Sequence, residues 1–165
     1  MEKLDSESTQ HLQAAYGCIG SGNQLGALAE LSKITPQFRD HPAVLVTKLS
    51  LCEAAKDWAT SLKLVETLLV QLPDNPIHWV QRSLYLRELN RVQEAWGKLL
   101  PAAEKFPAFW MIPYHLAGFA CRLGNIDEAR HRLNAALELV DADSLKTKAL
   151  AEADLQPLWQ EIGML

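Results

Sequence analysis

Residues 123–139 read LGNIDEARHRLNAALEL, and the order of residue types in this stretch decides the fold. Gly124 suits the left-handed backbone that ends a helix, because it has no Cβ to clash with the following carbonyl. Asn125, three residues before Glu128, makes a capping pair that starts the next helix. Ala129, Leu133 and Ala136 then return at steps of three to four residues and mark one face of that helix. A helix stop and a helix start separated by almost nothing describe a tight helix–turn–helix.

The same order recurs upstream at a fixed interval of 34 residues. Ala27, Ser61, Ala95 and Ala129 are all small, and Leu31, Val65, Leu99 and Leu133 are all aliphatic. Ile34, Leu68, Ala102 and Ala136 form a third set, and Ala15, Leu49, Ser83 and Ala117 a fourth in which Leu49 departs from small size. Pro42 and Pro76 open segments and Pro73 and Pro107 close them on the same period, consistent with a residue tolerated at a helix start but not in its interior. The turn position holds Gly22, Lys56, Asn90 and Gly124, of which Lys56 does not suit a left-handed conformation. The second turn is therefore expected to differ locally.

An interval of this length is the mark of stacked repeats, each of which buries its apolar face against a neighbour. The expected helices span 8–21, 24–35, 42–55, 58–72, 76–89, 92–105, 111–123 and 126–140. They group into repeats 8–41, 42–75, 76–109 and 110–143 after a tail at 1–7. The first helix has no obvious cap. Pro101 falls within the sixth helix, removes one backbone hydrogen bond and presses on the carbonyl of Gly97, so a kink is predicted there. Residues 144–165 lack a further full pair and read as a cap, with Leu145, Leu150, Ala153, Leu155, Leu158, Trp159 and Ile162 available to cover the last repeat. Asp154 with Pro157 places a short helix after a turn within that cap.

Composition narrows the chemistry. Hydrophobic residues make up 48% and charged residues 22%, which suits a folded chain rather than a disordered one. The net charge of −4 is spread evenly, without the cationic face that nucleic-acid binding requires. No run of about 18 apolar residues is present, so membrane insertion is not expected, and the N-terminal eight residues lack the features of a signal peptide. A cytoplasmic location is the expectation. Cys18, Cys52 and Cys121 are far apart with no CxxC pair and read as reduced, buried thiols, Cys18 and Cys52 filling equivalent small interior spaces. His11, His41, His78, His115 and His131 form no HxxxH pair, so neither a metal nor any other cofactor is expected. Arg130, His131 and Arg132 read as a solvated surface. No phosphate loop, nucleophile elbow or zinc-protease signature appears, and a non-enzymatic role follows. Among the tryptophans, Trp58 and Trp79 read as packing residues, and Trp110, beside Phe109 and Met111, is the one expected to be exposed.

The segment from Leu123 to Leu139 resembles the second half of a tetratricopeptide repeat. Trp79, Ala95 and Pro107 carry the resemblance in the third unit, and it extends over roughly residues 8–141, weakest in the first, where Arg39 stands in place of the closing proline. The resemblance implies an all-α fold, a right-handed superhelical solenoid of about four helix–turn–helix repeats with a C-terminal capping helix. It also implies that the first helix of each repeat lines a concave groove that binds another protein or peptide. The residues this places in the groove are Leu12, Gln13, Tyr16, Val46, Thr47, Ser50, Val80, Gln81, Leu84, Met111, Tyr114, His115, Gly118 and Arg122. Members of the family that hold a terminal carboxylate use a Lys, Asn and Arg clamp, which this set lacks.

A groove of this composition favours an apolar peptide or amphipathic helix, since apolar burial contributes about 25 cal/mol per Å² before ordering costs. Three roles are expected to be open to such a chain. The first is a protein-interaction scaffold, for which alanine at Tyr16, Val80 and Tyr114 would abolish capture without loss of helicity. The second is a chaperone-like holder of secreted or membrane-directed clients. The third, of a different class, is a self-assembling subunit in which the same surface, or the N-terminal helix without an obvious cap, is buried in a homodimer.

Overall fold

Four turns of one design set the architecture. In each, a residue with left-handed backbone ends a helix: Gly22 at φ 74°, Lys56 at φ 55°, Asn90 at φ 59° and Gly124 at φ 79°. The next amide reaches back to a carbonyl in the last helical turn, from Asn23 to Cys18, Asp57 to Cys52, Arg91 to Leu86 and Asn125 to Ala120, at 2.8–2.9 Å. This pattern satisfies carbonyls that a helix end leaves without partners. The expected local difference at Lys56 is therefore absent. Lysine is held in the same conformation as glycine because the hydrogen bonds and flanking helices fix the turn, at the cost of Cβ crowding.

The residue after each turn opens the following helix. Asn23 accepts from the amide of Gly26 at 2.9 Å, Asp57 from Thr60 at 3.1 Å and Asn125 from Glu128 at 3.3 Å. Capping positions thus keep the same period as the turns. Arg91 breaks the series; its guanidinium instead pairs with Glu94 in the first turn. The first helix also has a cap, contrary to expectation: Asp5 accepts from the Ser8 amide at 2.6 Å and from the Thr35 hydroxyl at 3.1 Å. Backbone and side-chain bonds from Ser8 and Thr35 hold its carboxyl below the usual carboxylate range.

The structure is a computed structural model that describes residues 3–164. Among these residues there are ten α-helices, two 3₁₀ segments and no strand. They are α1 (Ser6–Gly20), α2 (Gln24–Ser32), α3 (Pro42–Ala54), α4 (Trp58–Gln71), α5 (Pro76–Glu88), α6 (Val92–Lys105), α7 (Met111–Arg122), α8 (Ile126–Leu137), α9 (Ala142–Ala151) and α10 (Trp159–Met164). The 3₁₀ segments are Pro36–Phe38 and Ala153–Leu158. The first eight helices start and stop within three residues of the expected bounds.

The chain divides into two compact units, Met1–Pro73 and Asp74–Leu165. In the first, α1 packs on α2 and α3 on α4, and Leu12, Ala15, Ala27, Leu31, Ile34, Phe38, Val44 and Leu51 form a core shared by α1, α2 and α3. In the second, α5 packs on α6 and α7 on α8, and the segment from α9 to α10 closes over Leu133, Ala136 and Tyr114. The periodic sets are the cores of these pairs: Ala27, Ser61, Ala95 and Ala129 are all fully buried. Small side chains there let paired helices approach closely. Ser61 avoids an unpaired hydroxyl by donating to the Asp57 carbonyl at 2.8 Å.

Pro101 does not interrupt α6, which runs on to Lys105. Pro101 and Gly97 both lie on the exposed side, where water can serve the carbonyl that proline leaves without a donor. Two other expectations are corrected. Cys18 and Cys52 are only half-buried, and Cys121 alone is fully interior. Trp110 is not exposed but half-buried, edge-on to Tyr114 at 5.7 Å and with the Lys148 ammonium 5.6 Å from its ring. Its indole packs at the junction between α7 and α9 and lines a surface pocket there with Val140, Ser144, Leu145 and Lys148.

Candidate functional site

The first helix of each pair has one side on its partner and one side facing away from it. In the Met1–Pro73 unit, α1 places Gln13 and Tyr16 in solvent, and Leu12 turns into the core. On α3, Val46 and Ser50 are half-buried, and Thr47 is buried with its hydroxyl donating to the Ala43 carbonyl at 2.9 Å. This helix pair therefore offers an open strip of mixed polarity.

The Asp74–Leu165 unit is arranged differently. Val80 and Tyr114 are buried, Gln81, Leu84, Met111 and His115 are half-buried, and Arg122 is exposed. Gln81 Oε1 lies 3.0 Å from His78 Nδ1 within α5. Alanine at Val80 and Tyr114 would thus excavate the core and reduce helicity, so the triple substitution with Tyr16 is not a clean test of binding.

On α7 the chain's own C-terminal region adds to this burial. The 3₁₀ segment Ala153–Leu158 lies against α7, and Leu155, Leu158 and Ile162 join Tyr114, Ala117, Ala120 and Cys121 in one cluster. Gly118 allows the contact, since a Cβ there would stand 3.3 Å from Asp154 Cβ. Asp154 then faces two arginines, with Arg87 Nη1 at 3.1 Å and Arg122 Nη1 at 3.7 Å. Arg87 Nη1 also lies 3.4 Å from Glu152, and its other amino group pairs with Glu88 at 2.8 Å. Two further ties hold the segment from behind: Trp159 Nε1 donates to the Ala149 carbonyl at 3.1 Å, and Arg130 grips both oxygens of Glu161 at 2.6 and 2.8 Å.

Burial sets the electrostatics beneath this segment. Desolvation raises the Tyr114 phenol to about 12; the carboxylates of Glu152 and Asp154 add to the shift and Arg87 opposes it. The Tyr114 hydroxyl is buried without a hydrogen-bond partner among the described residues. His115 is lowered to about 3, first by desolvation and then by Arg87 and Lys148, so its imidazole is neutral at pH 7. Burial with nearby Asp154 and Glu161 pushes the Cys121 thiol up to about 11, the opposite of nucleophile activation. Among the described residues, no three His, Cys, Asp or Glu side chains gather as a metal site, and no helix is long and apolar enough to cross a membrane.

Sequence reasoning did not find Arg87, Glu152, Asp154 or Leu155 as parts of one arrangement. Arg87 and Asp154 are 67 residues apart and outside the repeat period. The one local signal is Asp154-Leu-x-x-Leu158, an acidic and aliphatic pattern just beyond the last repeat.

No protein-family model and no curated protein matches the sequence. Solved structures do match. One described as "Crystal structure of MamA protein" is 12% identical with a TM-score of 0.74, over 96% of this chain and 87% of that one. "MamA RS-1 ArsTM double mutant" is 14% identical with a TM-score of 0.71, over 81% and 75% of the two chains. "MamA AMB-1 C2221" is 17% identical with a TM-score of 0.65, over 98% and 99%. At such identities the likeness speaks for the fold alone, and the chain is an all-helical protein of tetratricopeptide-like helix pairs that shares its fold with MamA.

Proposed function

We propose that this chain is a non-catalytic protein-interaction module that holds a polypeptide segment against the first helices of its pairs. The observation that supports this reading is residues 152–158, a stretch without α-helix laid on α7 and held by leucine burial and paired carboxylates. A first-helix face that accommodates such a segment from its own chain has the shape and chemistry to accommodate one from elsewhere. The open strip carrying Gln13, Tyr16, Val46 and Ser50 is the second surface of this kind.

Photo-cross-linking in native extract tests the reading. A cross-linker at Gln13, Ser50 or Met111 is expected to trap one discrete polypeptide, and one on the outer side of α4, at Glu66, is expected to trap none. Trapping from Glu66 alone would move the binding surface to the second helices and defeat the assignment.

Self-association is a second reading, favoured by one observation. Leu25 and Leu28 stand on adjacent turns of α2 at 80% and 54% exposure. Light scattering over a wide concentration range decides it, a strict monomer excluding association through that helix.

A further inference from the structure

The segment that covers α7 combines full burial with an incomplete fit. Leu155 and Leu158 are completely enclosed, whereas three polar features around Asp154 are imperfect. Arg122 stands 3.7 Å from the carboxylate, beyond a good hydrogen bond. Glu152 reaches Arg87 only at 3.4 Å. The Tyr114 hydroxyl, buried under the segment, finds no acceptor. The ion pairs of Asp154 and Glu152 are thus made but stretched at Arg122 and Glu152, and the Tyr114 hydroxyl alone of these groups lacks a partner among the described residues, which is destabilising for a group so enclosed.

Building on the interaction reading above, we propose that the α5–α7 face is a binding site for an acidic, leucine-bearing segment of a partner protein, and that residues 152–158 are its built-in, displaceable occupant. The partner's segment carries an aspartate or glutamate followed by leucines one and four residues later. Charge complementarity chooses it: Arg87, Arg122 and Lys148 surround the face, and Gly118 admits a backbone closely enough for one carboxylate to meet both guanidiniums. An incoming segment replaces Leu155 and Leu158 with like residues, so apolar burial changes little on exchange. The tethered occupant has the advantage of an effective concentration of order mM. A partner overcomes it by completing what the tether leaves undone, with a longer carboxylate to Arg122 and an acceptor for Tyr114.

The full-length chain tests this with a fluorescent peptide of residues 151–160. In the wild type, amides of residues 152–158 are expected to exchange at least a hundredfold faster than those of residues 116–121 in α7; equal protection would make the segment plain core and overturn the proposal. Asp154→Lys, which sets like charge against both arginines, is expected to open the segment and strengthen peptide binding at least tenfold. Adding Arg87→Glu to that variant is expected to abolish the binding. An opened segment with no gain in peptide affinity, a segment that stays closed, or a chain that loses its helicity each overturns the proposal. A dimer of the Asp154→Lys chain that the peptide disperses assigns the occupant to a second copy and overturns the choice of a foreign partner. Cross-linking at Gln13 and Ser50 is independent of all these arms, so failure here is distinguishable from failure of the interaction reading.

Discussion

α1 and α7 are both the first helix of a pair, yet three of the fifteen residues of α1 are buried against nine of the twelve in α7. Helix propensity does not separate them, and both place small or aliphatic residues on the partner helix. The difference lies on the opposite side. Where α1 carries Tyr16, 46% exposed, α7 carries Gly118 at the corresponding position of the period, with Asp154 packed over it. Gly118 is one feature that admits the covering segment, and α7 is packed against α6 as well as against α8.

Exchanging those two residues breaks the comparison most severely. Gly118→Tyr leaves no room for Asp154, so the segment must lift away and take Leu155 and Leu158 into solvent. At about 1.5–3 kcal/mol per leucine, the loss of stability is about 3–6 kcal/mol. The reciprocal Tyr16→Gly removes only a half-exposed ring and some helix propensity, for about 1 kcal/mol or less. Denaturant midpoints of the two variants would show the asymmetry; equal losses would mean that the covered face owes its stability to something other than the segment.

The acid limb of the stability curve gives a second contrast. His115 has a folded value of about 3 against 6.5 when exposed, so as pH falls below 6.5 the unfolded chain takes up the proton first and stability declines. The lowered carboxyls of Asp5, Glu30, Asp57 and Glu161 act in a lower window: their contribution is present above about 4.5 and is lost as pH falls through their folded values. Replacing His115 with Phe, between the rings of Tyr114 and Phe119, is expected to flatten the decline between pH 6.5 and 5 and leave the lower window unchanged. Unfolding midpoints at pH 7 and pH 5 check this.

What the sequence made readable was whatever the repeat dictates. Ala27, Val65, Leu99 and Ala136 are legible as core from the period alone because each pair buries the same positions, and they are all essentially inaccessible. Helix starts followed from Pro42, Pro76 and Asn125 by local stereochemistry. Val80 and Tyr114 share the period of Leu12 and Val46, and their burial repeats that of Leu12; what was not readable is that Gly118 and His115 are covered where their period mates Tyr16 and Gln13 are open. On α7 that distinction comes from the packing of the 3₁₀ segment Ala153–Leu158 over it, a contact that no repeat pattern encodes. The cap of α1 was missed for another reason: the helix was started at residue 8 rather than at Ser6, so Asp5, whose carboxylate accepts locally from the Ser8 amide, fell outside it.

The turns allow smaller tests, one on each side of the division at Pro73. Lys56 in the first unit occupies left-handed backbone at φ 55°. Lys56→Gly removes the Cβ crowding and is expected to stabilise the chain by about 1 kcal/mol, with the added freedom of glycine in the unfolded state already offsetting part of the gain. A rise in melting temperature checks it, and a fall would mean that the lysine side chain makes a compensating contact.

Asn90 in the second unit is at φ 59°, but two features reduce what glycine can add there. Asparagine visits this conformation far more readily than lysine, so less strain is available for release. Its side-chain oxygen also accepts from Arg122 Nη2 at 3.4 Å, steadying the guanidinium that faces Asp154. Asn90→Gly is therefore expected to change stability by less than about 0.5 kcal/mol, while amide exchange in residues 152–158 accelerates measurably as Arg122 loses its second partner. A gain equal to that at Lys56, with unchanged exchange, would show that Arg122 takes no part in holding the segment. The covered face would then depend on Arg87 and the leucines alone.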